Sequence, residues 1–132
     1  MTRAAILADL MVDETGAVFS PGAAERAVEL LVELSPDLRG AAILDADGAA
    51  LAATGAPARW AEDGAALLAV ADGAGEEPVE QVHIATEQGE VFALRHDGLI
   101  ALAVADRFAL TSVLFFDMRS VLRDLAAGGE AA

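Results

Sequence analysis

The chain has no cysteine, no lysine and no asparagine among its 132 residues. Without cysteine it has neither a disulfide framework nor a thiolate site. Without lysine it has no P-loop lysine and no Schiff-base nucleophile. Its two histidines, His83 and His96, do not stand in a metal-binding spacing, and the G-x-S-x-G pattern is missing. We therefore expect a non-enzymatic protein without catalytic residues, metal or cofactor.

The chain is strongly acidic, with 22 aspartate and glutamate residues against 8 basic residues and a formal net charge of −14 at pH 7. Such a field repels the phosphates of nucleic acids and anionic membrane surfaces. We expect no nucleic-acid partner. Solubility is the simplest explanation of the charge, and attraction to a basic patch on a partner protein is the alternative.

The hydrophobic residues are numerous but small. They make up 55% of the chain, whereas aromatic residues make up only 5%. A chain of this length suits one domain, whose core we expect to consist of small aliphatic side chains. No stretch approaches the roughly 20 apolar residues that a membrane helix requires, and the start of the chain is broken by Asp9. We expect no membrane insertion and a cytoplasmic location.

The apolar periodicity predicts three helices and five strands in one domain. The helices are expected over residues 20–34, over 58–72 and from about 106 to 125. The strands are expected over residues 41–45, 49–53, 79–86, 90–95 and 99–105, with glycine-containing hairpin turns at 45–48, 87–89 and 96–98. The predicted fold is α+β, a five-stranded antiparallel sheet with helices on both faces in three layers.

The rest of the chain is assigned to the two ends of this domain, which spans residues 20–126. Residues 1–19 are expected to form an N-terminal extension, with Ile6, Leu7, Leu10 and Met11 along a short helix. Residues 127–132 are expected to be a disordered tail.

The predicted middle helix has two different faces. One face is expected to be buried and carries Trp60, Gly64, Leu67 and Ala71, with Leu68 and Val70 beside it. The other face carries Glu62, Ala65, Ala66 and Ala69. Alanine exposed to water buries little, but it lets a second helix approach closely. Either the alanine-rich composition explains this face, or the helix packs against a second copy of the chain.

The first and last helices supply the opposite core surface. The expected buried stripes are Ala24, Ala27, Val28, Leu31 and Leu34 on the first helix and Leu110, Leu114, Met118, Val121, Leu122 and Leu125 on the last, with Val113 and Phe116 outside them. Glu25, Glu29 and Glu33 form an acidic ridge on the first helix. Arg119 and Arg123 are expected to face this ridge. Alternatively they bind a partner together with Phe116.

Three segments resemble a known family. They are LRGAAILDADGAALAA at residues 38–53, VHIATEQGEVFAL at 82–94 and LIALAVAD at 99–106. Through these segments, residues 20–126 resemble the Roadblock/dynein-light-chain family, whose fold is profilin-like. Residues 1–19 and the pair Phe115 and Phe116 depart from the family pattern.

The resemblance implies an assembly and a partner. It implies a homodimer in which the middle helices stack and the third strands pair into one continuous sheet. The implied interface residues are Glu62, Ala65, Ala66, Ala69, Val79, Val82, His83 and Ile84. Bacterial members act beside a small Ras-like GTPase as regulators, activators or scaffolds. The resemblance therefore implies a non-enzymatic homodimeric scaffold or regulator that binds such a GTPase and modulates its nucleotide cycle.

Three alternatives stay open at this point. An arginine finger could come from Arg59, Arg95 or Arg107, although each is explained as a turn or cap residue. The profilin-like scaffold also resembles sensory domains that hold a small ligand, which would lie under the middle helix near Trp60 and Phe92. Profilin-like actin binding rests on analogy of fold alone.

Overall fold

The computed structural model describes residues 21–106 and 109–128. The predicted N-terminal extension and its short helix, Arg107, and residues 129–132 of the predicted tail lie outside this range. The described helices are α1 (Pro21–Leu34), α2 (Pro57–Gly73) and α3 (Thr111–Ala126). The described strands are β1 (Leu38–Asp45), β2 (Ala50–Ala53), β3 (Gln81–Thr86), β4 (Gly89–His96) and β5 (Leu99–Ala105).

The strands form one antiparallel sheet in the order β2-β1-β5-β4-β3. β5 lies at the centre, and β2 and β3 lie at the two edges. α1 and α3 cover one face of the sheet, and α2 lies on the other face. The predicted order of elements and the three-layer α+β architecture are confirmed.

The strands are joined by tight turns at the predicted glycines. In the β4–β5 turn both central residues have positive φ, 52° at Asp97 and 77° at Gly98. Two-residue hairpins favour such angles because the turn then matches the twist of the strands. In the β1–β2 turn the Asp45 carboxylate accepts hydrogen bonds from the backbone nitrogens of Asp47 and Ala49, at 2.9 and 3.0 Å. The predicted Asp-Gly hairpin turn is confirmed.

Three elements begin two or more residues later or earlier than predicted, and one of them is β3, which begins at Gln81 rather than at residue 79. β1 begins at Leu38 rather than at residue 41, because Leu38 already pairs with Ala105 of β5. α3 begins at Thr111 rather than near residue 106. The preceding residue, Leu110, has an extended backbone with φ −76° and ψ 94°.

The larger part of the core lies between the sheet and the pair α1 and α3. Its largest fully buried side chains are Leu31, Ile43, Phe92, Leu94, Leu99, Met118, Leu122 and Leu125. Phe115 is also buried and meets Phe92 edge-on, with ring centroids 5.4 Å apart. The expectation that Leu34 and Leu110 are buried is wrong. Leu34 lies in the last turn of α1, and Leu110 precedes α3 with 71% of its surface exposed.

On the other face of the sheet, α2 packs closely because Gly64 has no side chain. A Cβ on Gly64 would lie 2.6 Å from Leu102 Cδ1 of β5. Leu68, one turn further on, is buried in the same layer. The first turn of α2 is fixed by Trp60, whose Nε1 donates a hydrogen bond to the carbonyl oxygen of Thr54 at 2.7 Å.

Candidate interaction surface on α2 and β3

Residues 21–106 and 109–128 cover the sheet face that carries α2 only in part. α2 packs mainly against β2 and β1, and it reaches β5 at Gly64. The same face of β3, β4 and β5 therefore borders an open groove of about 520 Å³, which we call the α2 groove. Its apolar lining consists of Trp60, Leu67, Ile84, Val91, Leu102 and Val104. The α2 groove is the candidate interaction surface on this side of the sheet.

The outward face of α2 carries small side chains. The four residues predicted to share it, Glu62, Ala65, Ala66 and Ala69, are all exposed. Val70 is 76% exposed, so the prediction that it flanks the buried face is wrong. Small side chains allow a short distance between packed helices. The exposure of this face is confirmed, and its role in a dimer interface stays a prediction.

β3 is the edge strand beside the α2 groove, and its two sides have different surroundings. Val82 packs in the layer under α2, and Ile84 lines the groove with 40% of its surface exposed. His83 points to the opposite face, because side chains alternate along a strand. Its ring stacks on Phe92 with the centroids 4.6 Å apart. The structure therefore brings Val82 and Ile84 to the α2 side and separates His83 from them.

An ion pair connects the end of α2 with β4. Arg95 Nη1 and Nη2 donate to Asp72 Oδ1 and Oδ2 at 2.8 and 2.9 Å. The backbone nitrogen of Val79 donates to Asp72 Oδ1 at 2.9 Å. The hydrogen bond from Arg95 and then that from Val79 lower the pKa of Asp72 from 3.8 to about 2. Val79 itself lies in the loop before β3 rather than in the strand, so this pair fixes the chain that leads into the edge strand.

Glu90 is a buried acidic residue that the sequence analysis missed. Its Oε1 lies 2.5 Å from His83 Nε2, and its Oε2 accepts a hydrogen bond from the backbone nitrogen of Ala109 at 2.9 Å. The carboxylate therefore connects the edge strand to the segment that leads into α3. The alternation of β4 is the one signal that could have identified it, because Glu90 shares a strand face with the apolar Phe92 and Leu94.

The three partner-binding residues predicted on α3 have separate environments. Phe116 is 65% exposed, and Arg123 is exposed beside Asp124, with 3.8 Å between Arg123 Nε and Asp124 Oδ1. Arg119 Nη2 donates to Gln81 Oε1 of β3 at 3.2 Å. The role of these three residues in partner binding stays a prediction.

The prediction that Arg119 and Arg123 face the acidic ridge is wrong. α1 and α3 are neighbours, as expected. However, the groove between them is bordered by Glu29 and Glu33 on α1 and by Asp124 on α3. α3 is therefore rotated so that an acidic residue, not an arginine, lies opposite the ridge.

Arg95 and Arg59, the two arginine-finger candidates within the described residues, differ in how firmly an acidic partner holds them. Arg95 is held by Asp72 at two points. Arg59 is exposed on α2, with its Nε 3.7 Å from Asp63 Oδ2 one turn along the helix. Arg107 lies outside the described residues.

The prediction of one small-ligand pocket near both Trp60 and Phe92 is wrong. Trp60 packs in the layer under α2, whereas Phe92 is fully buried under α1 and α3 on the opposite face. Because strand residues alternate, Val91 and not Phe92 is the β4 residue that lines the α2 groove with Trp60.

The described residues can be searched for grouped metal ligands and for helices that could span a membrane. Among residues 21–106 and 109–128, no three histidine, aspartate or glutamate side chains are grouped so that they could hold a metal ion. Nor is any helix in this part of the chain both long enough and apolar enough to cross a membrane.

Comparisons with known proteins identify the fold. No protein-family model and no curated protein matches the chain. Among solved structures, a Roadblock/LC7 domain from Streptomyces avermitilis has a TM-score of 0.65 and 22% identity, covering 79% of this chain and 95% of the domain. The chain has the Roadblock/LC7 fold. Myxococcus xanthus MglB shares this fold with a TM-score of 0.64 and 11% identity, covering 85% of this chain and 91% of MglB.

The Roadblock/LC7 fold extends to profilin. Acanthamoeba castellanii profilin IB has a TM-score of 0.57 and 18% identity, covering 80% of this chain and 98% of profilin. The predicted Roadblock-like and profilin-like architecture is therefore confirmed. The α2 groove and the β3 edge are features of this chain's own residues within that architecture.

Proposed function

We propose that the chain is a non-enzymatic homodimeric scaffold or regulator that binds a small Ras-like GTPase. The observation that carries the proposal is the open apolar surface formed by the α2 groove, the alanine face of α2 and the edge strand β3. Residues 21–106 and 109–128 leave this surface exposed, and a second copy is the partner that would cover it by symmetry.

Two unsatisfied features on one side of the domain support the proposed dimer. Within the described part of the chain only β4 pairs with the edge strand β3. The backbone groups on its other side are a liability unless another strand covers them. Pairing β3 with its symmetry mate would extend the sheet and bring the two copies of α2 together. Ala65, Ala66 and Ala69 would then allow close helix packing, while Ile84 and Val91 would become buried.

The GTPase partner is supported by the likeness to bacterial proteins of the same fold. MglB of Thermus thermophilus is described as a gliding protein, and an MglB has been solved in a tetrameric arrangement. Under the resemblance stated above, bacterial Roadblock proteins act beside a Ras-like GTPase. We place the GTPase contact on α3 at Phe116, Arg119 and Arg123, on the sheet face opposite α2, with Arg119 next to the edge strand through Gln81. We place the complex in the cytoplasm.

The geometry disfavours Arg95 as an arginine finger, and we propose regulation without one. Arg95 is held by the Asp72 carboxylate and is not free to reach another protein. A scaffold of this kind would act by ordering the GTPase's own catalytic residues.

The test is affinity capture from the native lysate, run once with GDP and once with a non-hydrolysable GTP analogue, with the bound proteins identified. We expect a Ras-sized GTPase to be retained in one nucleotide state. Phe116→Ala should weaken this capture, whereas Leu110→Ala, a truncation of another exposed apolar residue, should leave it unchanged. Absence of a GTPase in both states would contradict the proposal.

A further inference from the structure

A second groove lies between α1 and the edge strand β2, at the edge of the sheet opposite β3. We call it the α1–β2 groove, and its volume is about 590 Å³. It is lined by Glu25, Val28, Glu29, Val32 and Glu33 of α1 and by Leu51, Ala52, Ala53, Thr54 and Pro57 of β2 and the segment that follows. Val28 is buried, and Val32 and Leu51 are half-buried, so the floor is apolar and the α1 wall is acidic.

On the strand side of this groove, β2 has backbone N–H and C=O groups that face away from the sheet. β2 is the outermost strand at this edge, and within residues 21–106 and 109–128 only β1 pairs with it. In an antiparallel edge strand, alternate residues direct their N–H and C=O groups away from the sheet. An extended peptide can bind such groups as an added strand.

The helix side of this groove has unpaired negative charge. Glu25, Glu29 and Glu33 are all exposed, and none of them forms a salt bridge within the described part of the chain. Residues four apart on a helix are about 6 Å apart along its axis. Residues two apart on a strand are separated by about 6.6 Å. The spacing of the glutamates along the acidic ridge is therefore close to the spacing of alternate side chains in an extended peptide.

We propose that the α1–β2 groove binds an extended basic peptide segment of a partner protein. The segment adds to β2 as a further strand, and alternate lysine or arginine side chains pair with Glu25, Glu29 and Glu33. The net charge of −14 steers a basic segment towards the protein, and the ridge fixes its position. This inference concerns the edge opposite β3 and is independent of the proposed dimer and of the GTPase.

The test uses the full chain and a short fluorescein-labelled peptide of alternating lysine and valine, with binding followed by fluorescence anisotropy at low ionic strength. We expect saturable binding. Reversing the ridge with E25K, E29K and E33K together should weaken it at least about tenfold, because three exposed ion pairs are lost. The matched control reverses three other exposed glutamates, E76K, E77K and E87K, and should change binding by less than about twofold.

Strand addition is tested on the peptide, so that the result does not depend on how a variant folds. N-methylation of alternate backbone nitrogens removes the donors that face β2 in one of the two possible registers. One of the two methylated peptides should lose at least about tenfold in affinity. In NMR spectra of the protein, the backbone amide resonances of Leu51 and Ala53 should shift when the unmethylated peptide binds.

Three results would overturn the proposal. Equal losses in the ridge variant and its matched control would mean that only net charge matters. Undiminished binding of both methylated peptides would exclude strand addition. A changed molecular mass of the ridge variant in light scattering would assign the groove to a contact between copies of the chain.

Discussion

Arg95 and Asp72 form a two-point ion pair that holds the end of α2 against β4. The guanidinium donates to both carboxylate oxygens, at 2.8 and 2.9 Å. The same carboxylate binds the backbone nitrogen of Val79, in the loop that leads into β3. The orientation of the edge strand β3 is therefore coupled to the position of α2. These two elements carry the proposed dimer surface.

The ion pair gives a defined pH dependence. The pKa of Asp72 is lowered from 3.8 to about 2, so its contribution to the free energy of unfolding is complete above about pH 4 and is lost as the pH falls towards 2. The difference in unfolding free energy between the wild type and Asp72→Asn, measured in urea, should shrink over this range. Asp63→Asn is the control, since Asp63 is exposed on the same helix. A difference that stays constant from pH 5 to about 2 would contradict this account.

Gly89 should resist substitution because of its backbone surroundings. Its φ is 154°, and a Cβ at this position would lie 2.6 Å from the carbonyl oxygen of Ala105. Since that atom belongs to the central strand, Gly89→Ala should lower the free energy of unfolding by about 1–3 kcal/mol. Gly75→Ala is the matched control, because nothing lies within 4 Å of a Cβ there. Similar midpoints for both variants in urea denaturation would show that the close approach is unimportant.

The Glu90 carboxylate should stabilise the start of α3 as well as the edge strand. Glu90→Ala leaves the backbone nitrogen of Ala109 and the ring of His83 without this acceptor. We expect a loss of about 1–3 kcal/mol in unfolding free energy, with a smaller loss for Glu90→Gln, which keeps an acceptor oxygen. Hydrogen exchange should accelerate at the first turn of α3 in Glu90→Ala. Unchanged exchange there would rule out the link between β3 and α3.

Much of the fold was predictable from local patterns. The hairpin turns were marked by Asp-Gly and by glycine, and the last strand was predicted with its observed ends, Leu99–Ala105. These features depend on a few adjacent residues, whose backbone preferences are strong. The exposed alanine face of α2 followed from helical periodicity in the same way.

The candidate site was less predictable because it depends on how elements pack. The placement of α2 over β1 and β2, which leaves Val91 and Val104 beside an open groove, is a property of tertiary packing. The assignment of Trp60 and Phe92 to one pocket failed because a shift of one residue along a strand moves a side chain to the other face. The rotation of α3 that places Asp124 opposite the acidic ridge likewise cannot be predicted from local periodicity.

Trp60 provides an internal probe of the proposed dimer. It is the only tryptophan in the chain and lines the α2 groove. Burial of the groove by a second copy would remove water from the ring, so the emission maximum should move to longer wavelength when the protein is diluted through the dimer dissociation constant. The emission of Ala69→Arg should already be at the longer wavelength at high concentration. An emission maximum that is independent of concentration in a protein shown to dissociate would place the interface elsewhere.

The most direct test of the central claim is the molecular mass in solution, measured by multi-angle light scattering. The wild type should have twice the 13.5 kDa mass of one chain. Ala69→Arg should have the mass of one chain, because a long charged side chain would separate the stacked α2 helices. Ala127→Arg, which changes an exposed alanine after α3, should remain a dimer. A monomeric wild type, or an Ala69→Arg variant that stays dimeric, would contradict the account.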